Sequence, residues 1–101
     1  MLIDKASLAS KILDFLAVLH SCLSETTYTQ DRSIYASDIA IVVGWLVKLH
    51  QGQAANDVAN LIVDSSTTKG FTDYWRQGHW GDLEARALND LQSWVRSVIG
   101  G

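Results

Sequence analysis

The stretch "DRSIYASDIAIVVGWLVKLHQG", Asp31 to Gly52, contains the longest apolar run of the chain, "IAIVVGWLV" from Ile39 to Val47. Its β-branched core, Ile41-Val42-Val43, is also what a strand would use. Length and flanks favour the helix. The apolar set Ile34, Ile39, Val42, Val43, Trp45, Leu46 and Leu49 wraps well around a helical axis. Asp31 or Ser33 can cap its start, and Gly52 follows as a residue that accepts left-handed backbone. The expectation is a helix ending near His50, apolar on so many sides that it takes the central place.

Working outward, Leu8, Ile12, Phe15, Leu16, Leu19 and Leu23 form the stripe of an amphipathic helix over residues 5 to 24, with Asp4 or Ser7 as its N-cap. "SETTYTQDRS" between the two reads as a connecting loop, because Ser and Thr side chains compete for backbone hydrogen bonds. Downstream, "QAANDVANLIVD" predicts a shorter helix, 53 to 64, burying Val58, Leu61 and Ile62. "SSTTKG" breaks it. "FTDYWRQG" supplies one or two turns that Thr68 or Thr72 can cap and Gly78 can end. A last helix starts at Asp82, a good N-cap, and buries Leu83, Ala87, Leu88, Leu91, Trp94, Val95 and Val98. The chain contains no proline to interrupt these segments. The pattern predicts an all-α fold, a compact bundle of four to five helices forming a single domain over residues 1–101.

Composition narrows the partners. A net charge of −3, with eight basic residues spread singly, argues against a nucleic-acid backbone and suits a basic protein partner. Apolar residues make up 48% and charged residues 19%, so some apolar surface is expected to be covered by a partner. The single cysteine, Cys22, sits among Leu16, Val18, Leu19 and Leu23 and reads as a small buried hydrophobe in a reduced, cytoplasmic protein. Asp4 and Asp14 interrupt any secretory leader, and the Ile39–Val47 run is about half of the roughly 20 residues that span a bilayer, so no membrane role is expected.

The residues that suggest chemistry lie in "FTDYWRQGHWGDLE", Phe71 to Glu84. His79 with Asp82, Asp73 and Glu84 nearby is raw material for a general base, but Asp82 already has a capping task and no nucleophile accompanies the set. His20 and Cys22, two apart on a helix, point in different directions and have no further ligands to complete a metal site. His20 and His50 are expected at helix C-terminal ends, where imidazole complements the dipole. "GHWG", Gly78 to Gly81, has the spacing of a loop that clamps nucleic-acid backbone but lies among acidic residues. No cofactor or metal is expected, and the weight falls against an enzyme.

Phe71, Trp75 and Trp80 read as a core cluster at a tight corner, where Gly78 and Gly81 let the chain reverse. Tyr74, Trp75, Arg76, His79 and Trp80 cannot all turn inward from so short a segment, and Trp, Tyr and Arg dominate interface hot spots. Asp73, Asp82, Glu84 and Asp90 add an acidic surround. The expected partner-binding residues are therefore Asp73, Tyr74, Arg76, His79, Trp80 and Glu84. The function expected is a non-catalytic interaction protein of the immunity or antitoxin kind, masking a basic partner. The alternative is a self-associating helical module, a two-fold dimer packing through the first or second helix at Leu19 or Trp45, and a third reading is a small-ligand-binding or enzymatic bundle using His79.

Overall fold

The computed structural model describes residues 2–27, 29–64 and 82–100, and these form four helices with no strand among them. They are α1 (Lys5–Glu25), α2 (Thr29–His50), α3 (Ala55–Val63) and α4 (Asp82–Gly100).

Local chemistry accounts for the ends. The Asp4 carboxylate accepts from the Ser7 amide at 2.9 Å and from the Ser7 hydroxyl at 2.8 Å, which makes it the N-cap of α1. These bonds, the hydroxyl's first, hold the Asp4 carboxyl below its ordinary range. α2 ends in a Schellman motif: the Gly52 amide donates to the Leu49 carbonyl and the Gln53 amide to the Lys48 carbonyl, with Gly52 at φ 92°. That φ is why glycine stands there. α2 begins at Thr29, earlier than Asp31, and the α1–α2 connection is correspondingly shorter than the Ser/Thr-rich stretch suggested. Arg32 explains the tight corner, because its guanidinium donates to the Leu23 carbonyl at 2.8 Å and the Thr26 carbonyl at 3.2 Å. Those contacts satisfy carbonyls at the end of α1 that would otherwise need water.

Each long helix buries a stripe whose spacings alternate between three and four residues. On α1 it is Leu8, Ile12, Phe15, Leu19 and Cys22; on α2, Tyr35, Asp38, Val42, Trp45 and Leu49; on α4, Glu84, Leu88, Leu91 and Val95. This is the spacing that lets helices pack at shallow angles. α1 packs against all three others and is the central element, whereas α2 packs mainly on α1. The expectation that α2 is central fails because only one of its sides is covered: Ile41, Val43 and Val47 stay exposed.

α1 and α4 run antiparallel, since Lys11 lies over the Trp94 ring at 5.6 Å near one end while Cys22 approaches Glu84 near the other. Leu83, expected inside, is exposed, and Glu84 takes the buried place. Counting back four and seven residues from Leu88 and Leu91 lands on 84, so helix phase places the glutamate on the stripe. α3 buries Val58, Ala59 and Ile62 and is fastened at both ends. The Ile3 amide donates to Asn56 Oδ1 at 2.9 Å, and Gln92 Nε2 donates to the Ile62 carbonyl at 3.0 Å.

Candidate functional site

Of the six residues expected to bind a partner, Asp73, Tyr74, Arg76, His79 and Trp80 lie outside the described residues, as do the GHWG turn and the Phe71, Trp75 and Trp80 cluster. Glu84 is described, and its place is interior: it is 5% exposed.

Two features of the described structure carry functional weight. The first is a polar cluster where the end of α1, the start of α2 and the start of α4 meet. The Tyr35 hydroxyl donates to Glu84 Oε1 at 3.1 Å, and both groups are buried. Cys22, from α1, brings its thiol to the same carboxylate. Burial, then the hydrogen bonding and charge of Glu84, with a smaller push from Glu25, raise that thiol to about 12. It stays protonated at neutral pH and is a poor nucleophile and a poor metal ligand. Asp38 sits one helical turn beyond Tyr35 on the same stripe, 7% exposed. Burial alone pushes its carboxyl up to about 7. Asp38 Oδ2 and Glu84 Oε2 have no hydrogen-bond partner among the described residues. Thiol S–H is a weak donor, so Cys22 does not relieve Glu84 as an N–H would.

Tyr35 and Asp38 are interior residues that the sequence pattern hides, because the apolar letters beside them, Ile34 and Ile39, draw the stripe off phase. The signal was present: stepping back from Leu49, Trp45 and Val42 by the same alternation reaches 38 and 35. Among the described residues no group of three or more His, Cys, Asp and Glu side chains comes together.

The second feature is the outer side of α1 and α2. Leu13, Leu16, Ala17, His20 and Ser21 from α1 and Ile39 from α2 line a shallow groove without a single formal charge. Leu13 is 52% exposed, and Val43 and Val47, one and two turns on from Ile39, are 40% and 44% exposed. A Cβ at Gly44 would meet nothing within 4 Å, so this side of α2 is open. His20 belongs to this groove and not to a helix terminus, because α1 continues to Glu25; His50 does lie in the last turn of α2. Trp45 and Leu19, the residues expected to hold a dimer together, are buried within the chain's own core.

A further cleft between α1 and α4 is lined by Lys11, Asp14, Phe15, Val18, Ala87, Asp90 and Leu91, a mixed-charge rim over apolar walls. α1 and residues 31–50 of α2 are also long and apolar enough to cross a membrane by length and composition. The uninterrupted apolar run Ile39–Val47 is too short to span a bilayer, but α2 around it runs from Thr29 to His50. Core helices of soluble proteins pass the same test.

No family model matches the sequence, and comparison with characterised proteins and with solved structures gives no significant match.

Proposed function

We propose that the chain is a non-catalytic protein-interaction module that acts in the cytoplasm through the outer side of α1 and α2, with a second copy of itself as the occupant. The observation that carries this is the uncharged apolar face on which Leu13, Val43 and Val47 are exposed beside the half-buried Ile39 of the groove. Leaving those side chains in water forgoes roughly 25 cal/mol per Å² of apolar area that an occupant would cover. Charge decides between occupants. A two-fold interface sets the same patch against itself, so an uncharged face lets copies of a chain at −3 approach without like-charge repulsion across the contact. A basic partner, in contrast, finds no acidic group in the groove.

Light scattering of the wild type beside Leu13→Glu and Val43→Glu tests the proposal. The expected outcome is a wild-type mass of twice 11.1 kDa that falls to the single-chain value in both variants, with helical content unchanged. A wild-type chain that stays at the single-chain mass up to millimolar concentration would sink it.

The second reading is masking of a basic partner, in the manner of an immunity or antitoxin protein, and the acidic balance of the chain favours it. Its residues are Asp73, Tyr74, Arg76, His79 and Trp80. Capture of one basic protein, weakening as salt rises and unaffected by Leu13→Glu, is the result that would move the assignment there.

A further inference from the structure

The cleft between α1 and α4 shares no lining residue with the groove on the outer side of α1 and α2, and its chemistry is different. Its floor is apolar and belongs to the core, since Phe15 and Leu91 are 2% and 3% exposed. Above that floor stand two exposed carboxyl side chains, Asp14 from α1 and Asp90 from α4. Among the described residues the one cation in the lining is Lys11. Its ammonium lies over the Trp94 ring, 5.6 Å from the centroid, and the two side chains line an adjoining hollow with Ser7 and Ser10. The cleft thus joins an apolar floor to a rim whose described residues carry one more negative than positive charge.

We infer that this cleft receives a basic side chain of a protein partner, with the alkyl stem laid on Phe15 and Leu91 and the cationic head at the carboxylates of Asp14 and Asp90. Lysine and arginine have the matching form, because they bury an apolar stem while the charged head keeps its water. Size selects the source. The cleft holds about 260 Å³, below the roughly 300 to 1,000 Å³ of pockets that enclose a free small ligand, so it suits one side chain presented on a partner's surface. Charge agrees at both ranges. A chain at −3 steers a basic surface toward itself, and the paired carboxylates then attract the head on contact. An acidic side chain would meet the same two carboxylates with only Lys11 to offset them, and an uncharged one would gain nothing from either. This partner site goes beyond self-association through the outer side of α1 and α2 and does not depend on it.

The experiment is a titration of the full chain, followed by backbone amide NMR shifts, with three capped tripeptides that differ only in a central lysine, leucine or glutamate. The lysine peptide should give saturable shifts at Asp14, Val18, Ala87 and Asp90, and the other two should bind at least about threefold more weakly. Two exposed substitutions fix the sign. Asp90→Asn should weaken the lysine peptide about twofold to fivefold, whereas Lys11→Gln, which removes a like charge, should tighten it by about twofold. Leu13→Glu, on the other groove, should leave it unchanged. Equal binding of the three peptides, no saturable shift from the lysine peptide, or changes of the same sign in Asp90→Asn and Lys11→Gln would overturn the inference. So would free n-butylammonium binding more tightly than the lysine peptide, which would assign the cleft to a small amine, or loss of binding in Leu13→Glu, which would move it to the outer groove.

Discussion

The two ends of the bundle are built on the same stripes and filled in opposite ways. At one end Leu8 and Ile12 of α1, Leu49 of α2, Ile62 of α3 and Val95 of α4 close a dry apolar core. At the other, the same helical phases bring in Cys22, Tyr35 and Glu84, with Asp38 one turn further in along α2. The first end is closed by apolar side chains; the second holds two carboxyl oxygens without a hydrogen-bond partner among the described residues. Burial is thus set by where a residue falls on the stripe, and residue type decides only how well the place is filled.

The largest effect expected is at the apolar end. Leu8→Ala, in a side chain with no exposure, should cost about 2 to 5 kcal/mol in chemical denaturation, through lost contact and a residual cavity. At the polar end the sign depends on pH. Folded Asp38 keeps a proton that the unfolded chain releases above about pH 4. Its contribution to stability is therefore whole below that pH, declines as pH rises through about 7, and is flat beyond. Asp38→Asn should flatten this decline and make the protein more stable than wild type at pH 8, by an amount on the order of 2 to 4 kcal/mol given about 1.4 kcal/mol per pKa unit. Denaturation midpoints from pH 4 to pH 8 would show it; a wild-type profile that rises with pH contradicts the contrast between the two ends.

A smaller change tests what joins α2 to α4. Tyr35→Phe removes the donor to Glu84 Oε1 and should cost about 1 to 3 kcal/mol, because the carboxylate is left buried and less satisfied. A loss below about 0.5 kcal/mol would mean that water already serves that carboxylate. The smallest effect belongs to the outer side of α2. Gly44→Ala places a methyl in open space and should add about 0.5 to 1 kcal/mol to the single chain. If two copies approach closely at Gly44, the same methyl should weaken their association in sedimentation, so one substitution separates monomer stability from dimer affinity.

Most of the helical order was legible in the sequence, since 3.6-residue periodicity, the Asp4 cap and Gly52 are local signals. The start of α2 was not, because Thr29 and its neighbours have weak helix propensity and Arg32 reaches back to carbonyls at the end of α1. The polar end was missed for a different reason. A reading that takes apolar letters as the interior selects Ile34, Ile39 and Leu83 and passes over Tyr35, Asp38 and Glu84, although the spacing of their buried neighbours points to all three. The outer face was half legible: the apolar excess predicted a covered surface, but only packing shows that Leu19 and Trp45 are spent inside while Leu13, Val43 and Val47 remain outside.

The two fastenings of α3 give the molecule a mechanical character. Nine residues are too few for a helix to hold its shape alone in water. α3 is gripped at its first turn by the backbone of residue 3 and at its last turn by the side chain of residue 92, so it acts as a buckle between the two ends of the chain. A stretching force applied at residues 3 and 100 would load that buckle together with the antiparallel α1–α4 seam, because both join the two pulled ends.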